Sequence, residues 1–509
     1  MDKQSSKTIL GGALLISALT VAAAYAMFFC YALSQNQAIE YEGPCLWAST
    51  QIARGLNPYP LSTLSQSPYT VIIYPPLYFI VCALFEHGEP NYLWPRLISI
   101  GASLLTAVFY YKFLRQLFAK STSIGGTVLL MSFMAIWLWS AKGRVDQLSL
   151  ALSALSLWLY ARSQGPTAIV RPLMASAIAL VLATMTKQPS ALLAPALILD
   201  LLIARRNQAA AIFTASFATA LLSMLGLAQI LTGGGFIAHM RFASHMPFEW
   251  RYLAERLALM YVDWPKFILA TLAIPLALIY KNKATHDLDP NEPRAPNQPN
   301  KPNPLRLALL MTLTTLPVTF YTAGTAYSNV NHFLVLLLPL PVLIANMVES
   351  TAHSAKAGKI ISFLYGSTLL VSGSLLLFLA VALFNPSACQ HKLELTRPVT
   401  NTELKGLMQG KLVLSEDGGY GPLFGAISEP VDITTFIQVM GVRGTQAKDM
   451  LKNVEAKKYA VVVINHQEFT GERKMAQWDG DVIEAVKRNY RLLGQTNGNC
   501  EVQDVYLPK

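Results

Sequence analysis

Charge is scarce in this sequence. Only 14% of its 509 residues are Asp, Glu, Lys or Arg, against 53% hydrophobic, a balance too apolar for a soluble multi-domain protein. Cysteine is scarce too: the chain holds five, and none stands at the Cys/His spacing of a structural zinc site. No internal repeat of the kind that builds transporters from inverted halves stands out. The first apolar run is longer than the core of a secretory signal and has no clear small-residue cleavage site, which argues against a signal peptide.

What is present is apolarity gathered into long blocks. A spanning helix needs about 20 mostly apolar residues, and runs near that length lie at 8–33, 97–118, 123–140, 147–162, 172–185, 188–204, 209–231, 264–280, 305–322, 332–348 and 359–385. They predict about eleven spans. Lys and Arg fall in alternate short connections: Lys3 and Lys7; Lys112, Arg115 and Lys120; Arg162 and Arg171; Arg205 and Arg206; Lys281 to Arg306; Lys356 and Lys359. Positive loops stay cytoplasmic, so the N-terminus is expected inside. The alternation requires that "YPPLYFIVCALF" (74–85), short and opened by two prolines, does not cross but lies along or dips into the outer surface. The net charge of +11 is then a topology signal and calls for no nucleic acid.

Three segments fall outside the spans. The first outer loop, 34–96, is long enough to expect a function. Residues 282–304 are rich in Pro and Asn without periodicity, which reads as a disordered cytoplasmic linker. From 386 to 509, β-like runs (411–415 and 459–464) alternate with amphipathic helical stretches (445–457 and 479–489), predicting a small α/β domain outside the membrane. Cys389 and Cys500 bracket that domain and form a candidate disulfide, Cys45 and Cys82 of the first outer loop a second. Cys30 lies in the first span, facing lipid or packed.

Polar residues at the outer ends of the spans are the candidates for chemistry. Glu40 and Glu42 follow the first span, and Arg144 and Asp146 precede the fourth. Lys187 interrupts an apolar stretch, and Arg241, His245, Asn331 and His332 lie in later outer connections. Each has a structural alternative: Asp146 as a helix cap, Arg144 as its partner or a snorkelling cation, the glutamates as solvated loop residues. Arg241 and His245 share a face if 239–252 is one interfacial helix, capping accounts for Asn331 and His332, and Tyr74 can belong to an aromatic belt. Lys187 resists such a reading, because intramembrane charges are usually functional.

The arrangement resembles the GT-C membrane glycosyltransferases, in particular bacterial enzymes of the protein O-mannosyltransferase and lipid A aminoarabinose transferase type. The matching stretches are "YEGPCLWASTQIARGLNPY", "YPPLYFIV", "RVDQLSLALSALSLWLYAR", "TKQPSALLAPALIL" and "NVNHFLVLLLPL", in that order within residues 8–348. The resemblance implies a polytopic helical fold (1–385) followed by an extracytoplasmic α/β domain (386–509), in a bacterial inner membrane. It implies transfer of a sugar from a polyprenyl-phosphate donor lipid to a glycan, lipid or protein acceptor, with inversion. Many members carry adjacent Asp-Glu where Glu40 and Glu42 are separated by Tyr41. The Glu-Gly pair of some bacterial relatives favours Glu42 as general base, with Asp146 and Glu40 as further acids. Lys187, Arg144, Arg241 and His245 would hold the lipid phosphate, and Asn331, His332 and Tyr74 would contact substrate. A divalent metal at the acids is compatible with the family but not required. A lipid-linked polysaccharide ligase or polymerase, a flippase, and a membrane anchor presenting the C-terminal domain are the competing readings.

Overall fold

A computed structural model describes residues 3–36, 38–39, 41–163, 170–243, 247–286, 302–325, 328–352, 354–383, 397–432, 445–471, 478–498 and 501–509. Helix forms at each of the eleven apolar runs. After α1 (Lys3–Ser34), the first long loop carries two short helices, α2 (Gly43–Ala53) and α3 (Leu77–Ala83), before α4 (Leu93–Leu117). Next come α5 (Lys120–Met131), α6 (Met134–Leu138), α7 (Val145–Arg162), α8 (Val170–Thr184), α9 (Leu193–Ile203) and α10 (Asn207–Leu231). Two short helices, α11 (Gly235–Ala243) and α12 (Trp250–Leu259), lead into α13 (Trp264–His286), α14 (Pro304–Ala323), α15 (Leu334–Leu337), α16 (Pro339–Thr351) and α17 (Ala355–Leu383).

Among the described residues, six helices are long and apolar enough to cross a membrane, and the bent pair 330–337 and 339–351 makes up to seven. The expected count of eleven is not reached on length and apolarity, because several runs form shorter or broken helices. The run 123–140 splits at Ser132 and Phe133 between α5 and α6. The stretch 74–85 forms only the seven-residue α3, whose Tyr78, Phe79 and Cys82 are buried; a helix so short cannot span. The one helix over 239–252 that would let Arg241 and His245 share a face is not formed: α11 ends at Ala243, Glu249 is extended, and Pro247 offers no amide to continue a helical ladder. The helices pack around one large core that includes Tyr110, Phe113, Leu129, Trp137, Leu157 and Leu337. Several polar atoms inside it find backbone partners, whereas Trp139 Nε1 and Tyr365 OH have none among the described residues. Tyr25 donates to Met131 O (3.0 Å), Trp137 Nε1 to Ala24 O (3.0 Å) and Tyr110 to Leu338 O (2.6 Å).

The C-terminal segment folds as the α/β unit its pattern predicts. Strands β1 (Leu412–Ser415), β2 (Ile427–Glu429), β3 (Val461–Asn465), β4 (Tyr490–Gly498) and β5 (Glu501–Pro508) form one sheet in the order β2-β1-β3-β5-β4. β1 runs parallel to β2 and β3, and β5 antiparallel to β3 and β4. Alternation along the strands sends Leu414, Val462 and Ile464 into one core and Val413, Val461 and Val463 into another, as a period of two requires.

The first long loop is woven into this sheet. Tyr69 is buried in the same core as Leu414, Val462 and Ile464, a burial worth on the order of 2 kcal/mol, and its carbonyl accepts Val431 N at 3.3 Å. Glu429 accepts Ser67 Oγ and, at 2.9 Å, Tyr459 OH. On the loop's other side, His239 of α11 accepts Ile72 N at its Nδ1 (3.1 Å). Its Nε2 therefore carries the proton and donates to Pro60 O at 3.1 Å. Burial keeps this imidazole neutral by lowering its pKa.

The expected pairing of Cys45 with Cys82 is not formed. Both are free, buried thiols in the core that also holds Tyr59, Ile72 and Val431. Burial pushes Cys45 up to about 12 and raises Cys82 well above the usual thiol value. Cys30 is free and exposed on α1, while Cys389 and Cys500 lie outside the described residues. Mass mapping of non-reduced peptides should find Cys45 and Cys82 as thiols, unreactive toward a membrane-impermeant maleimide until the protein is denatured. A Cys45–Cys82 disulfide peptide, or fast labelling of both in the native state, would contradict this packing.

Candidate functional site

Glu42 occupies the N-cap position of α2, but its side chain caps nothing. It turns instead toward Arg96 of α4. Arg96 Nη2 lies 2.6 Å from Glu42 Oε2, and Arg96 Nε lies 3.1 and 3.2 Å from the two carboxylate oxygens. Ile39 N donates to Oε2 at 2.7 Å and Gly143 N to Oε1 at 2.5 Å. The remaining guanidine donor, Nη1, reaches Ala32 O (2.8 Å) and Gln35 O (2.5 Å) at the end of α1. Both charged side chains are buried, at 0% and 1% exposure. A carboxylate has about four lone-pair sites, and here they are all met. This clasp joins the end of α1, the start of α2, α4 and the loop before α7. Gly143 is the residue that fits, since a Cβ there would strike Pro95.

Asp146 sits in the first turn of α7. It is not the cap: Arg144 holds that position, in extended geometry. Asp146 Oδ1 accepts Lys187 Nζ at 2.5 Å and Asn331 Nδ2 at 2.9 Å, and Lys187 Nζ also reaches Asn331 O at 3.2 Å. Lys187 is buried at 6% exposure, so its counter-charge comes from within the protein. That is the expected solution for a cation in an apolar setting. The other carboxylate oxygen, Oδ2, is buried without a hydrogen-bond donor; Arg144 Nε approaches to 3.5 Å, too long for a good hydrogen bond.

Arg144 closes the site on the loop side. Its Nη1 donates to Tyr41 O (2.7 Å) and its Nη2 to Tyr74 OH (3.0 Å), while Nε is buried without an acceptor. His332 Nδ1 is likewise buried and unpaired. Asp146, Ser149, Lys187, Pro189, Asn331 and His332 line a small cleft here. Asn331 and His332 lie inside a short 3₁₀ turn (Val330–Phe333) whose own cap is Asn329, so capping does not account for them.

Of the predicted site residues, the structure gathers Asp146, Lys187, Asn331 and His332 at this cleft and joins Arg144 and Tyr74 to it. Glu42 adjoins through Gly143. Arg241 is exposed on α11. Glu40 and His245 lie outside the described residues. The sequence reading missed Arg96, because its partner is 54 residues away and it opens an apolar run as any membrane-border cation does. It also missed Arg256 on α12, half-buried, whose Nε is buried without an acceptor and whose charge acts on His332. A further buried pair, Asp263–Lys266 at 2.5 Å, ties α13 to the α5–α6 break through Met134 N and Ser132 O. Among the described residues, no three His, Cys, Asp or Glu side chains converge as a metal site requires, and Glu42 has no lone pair left to offer. The donor set of the described residues does not fit a metal.

Replacing Arg96 with Met should leave Glu42 buried and uncompensated, a loss of about 3–5 kcal/mol. The double variant Arg96→Met with Glu42→Gln should recover much of it. Thermal unfolding in detergent checks this, and a single variant as stable as the wild type would refute the clasp.

The family described as dolichyl-phosphate-mannose-protein mannosyltransferase matches residues 74–232. No curated protein sequence matches the chain. Among solved structures, ArnT from Cupriavidus metallidurans in the apo state is similar with a TM-score of 0.60 at 12% identity, over 96% of this chain and 97% of that one. The same protein bound to undecaprenyl phosphate gives 0.55 at 13% identity, over the same shares. The Archaeoglobus fulgidus oligosaccharyltransferase in complex with Zn and sulfate gives 0.54 at 11%, over 94% of this chain and 71% of that one. At these identities the likeness is one of architecture: over nearly its whole length the chain adopts the fold of these GT-C glycosyltransferases, which bears out the resemblance its motifs carry.

Proposed function

We propose that the chain is a membrane glycosyltransferase that moves a sugar from a polyprenyl-phosphate donor to an acceptor hydroxyl on the extracytoplasmic side of a bacterial inner membrane. The observation that carries this reading is a buried carboxylate oxygen with no hydrogen-bond donor, Asp146 Oδ2, in the cleft where His332 Nδ1 is also buried and unpaired. Arg144 Nε faces that oxygen across 3.5 Å, and the charge of Arg256 acts on His332. Such a site is incomplete by itself, and a hydroxyl together with a phosphate completes it. The architecture shared with a structure holding undecaprenyl phosphate supports the same donor class.

In this mechanism the acceptor hydroxyl attacks the anomeric carbon as the bond to the phosphate oxygen breaks, inverting the configuration. Asp146 Oδ2 takes the hydroxyl proton, while Lys187 and Asn331 hold Oδ1 and fix the carboxylate plane. Arg144 and Arg256 meet the charge that develops on the departing polyprenyl phosphate, and Tyr74, bonded to Arg144, lines its approach. Glu42 is assigned a holding role, because using it as the base would mean breaking the clasp. Lys187 likewise acts through Asp146, and the phosphate contact passes to the two arginines.

Asp146→Asn alone would strand Lys187, so the informative comparison is Asp146→Asn/Lys187→Met against Lys187→Met. Lys187→Met leaves Asp146 with Asn331 and Arg144, and with both variants compared as folded protein, transfer in the double variant should be lower by about 10²–10⁴-fold, the usual contribution of a general base. Equal transfer in the two would remove Asp146 from the chemistry. A loss confined to Glu40→Gln would place the proton acceptor at Glu40.

A further inference from the structure

We propose that the turn Asp417–Gly419, which follows β1 of the C-terminal domain, is a positioning element of the transfer site, with Asp417 seated against the Glu42–Gly43 peptide. The inference rests on the proposed transfer reaction and assigns the C-terminal domain a part in it.

Three close approaches define the junction. A Cβ on Gly43 would collide with the Asp417 carboxylate and the Gly419 amide; one on Gly418 would strike Val431 O; one on Gly419 would strike the Tyr92 hydroxyl. The chain thus uses glycine on both sides of one contact, which brings the two backbones together as no other residue permits. The contact falls on the clasp itself. Gly43 is the residue after Glu42, and Tyr92 carries the Arg96 guanidinium over its ring at 5.0 Å. One turn of the C-terminal domain therefore bears on both members of the ion pair that sets the start of α2. Its place in the sheet suits such a role. β1 lies between β2 and β3, so the chain leaves its carboxyl end at the point where the parallel connections diverge, the customary binding crevice of such sheets.

Asp417 makes the contact sensitive to protons. Its Oδ1 accepts Gly419 N at 2.8 Å. Burial in the junction, reinforced by the nearby Glu42 charge and opposed by the Gly419 amide, Tyr92 and Arg96, pushes the carboxyl up to about 6. Tyr420 faces it from its own element. Asp432, which pairs with Asp417 across the strand ends, lies near Arg144 and Tyr74. Because the docked value stands above the usual carboxyl value of about 3.9, docking favours the neutral acid. The contact is weakest above pH 6 and tightens as pH falls toward 4.

Limited proteolysis of the C-terminal domain in the full-length protein, followed alongside the transfer rate, tests this. Protection should increase as pH is lowered from about 7.5 to about 5. Asp417→Asn, uncharged and still able to accept from Gly419 N, should remove that dependence. Gly43→Ala should raise the cleavage rate and lower kcat roughly 10–100-fold, the cost of a misplaced site, with the donor KM little changed. Wild-type kcat in Gly43→Ala despite lost protection would overturn the positioning role while leaving the transfer reaction standing. A pH dependence that persists in Asp417→Asn would remove Asp417 from it. If Asp146→Asn/Lys187→Met transfers as well as Lys187→Met, the transfer reading fails separately, whatever the protection shows.

Discussion

A fully buried carboxylate is costly unless its lone pairs are met, and Glu42 is placed under that constraint at the junction of four chain segments. Arg96 answers it with Nε and Nη2 and uses Nη1 to hold the end of α1. Gly143 and Ile39 supply the backbone donors. Because Gly143 lies only three residues before Asp146, the clasp also fixes where α7 begins. The clasp thereby sets the cleft through short pieces, because α2 is short and the 140–144 segment is loop, while Asp146 itself stands on α7.

The second buried acid is handled differently. Asp146 has three cationic or amide neighbours, yet one of its oxygens is left without a donor. Ion pairs in low dielectric are costly unless well satisfied, so a structural pair would be expected to close the remaining position, as the Asp263–Lys266 pair does with its backbone partners. The contrast is between an acid whose lone pairs are all met and one that keeps an unmet oxygen. Arg144 Nε, 3.5 Å from that oxygen, and Arg256 Nε are likewise buried without a hydrogen-bond partner.

Much of the helical fold was legible because spanning helices must be long and uniformly apolar, and the Lys/Arg alternation ordered them. β1 and β3 were found within a residue or two from their β-branched runs. The breaks were harder. Nothing in the apolar run 123–140 marks Ser132 as the end of α5, and the cause is tertiary: Lys266 Nζ takes Ser132 O at 2.6 Å. Within the site, sequence showed which residues were polar at the ends of spans but not which were paired. Glu42 and Asp146 looked alike. Their difference comes from Arg96, Lys187 and Asn331, each tens of residues or more distant, and so does the pairing of Lys187 with Asp146. Asp417 was invisible for the same reason, sitting in a Gly-Gly turn that reads as an ordinary loop until Gly43 is found beneath it.

Consumption of a lipid-borne sugar at this cleft is the property that decides its role. The direct measurement is donor turnover by the purified wild-type chain in lipid nanodiscs, given a panel of polyprenyl-phosphate sugars with and without a crude cell-envelope acceptor fraction, and followed by release of free polyprenyl phosphate. Acceptor-dependent release from at least one donor is the predicted result. Chain preparations that are folded, yet neither bind nor consume any member of the panel, would contradict it.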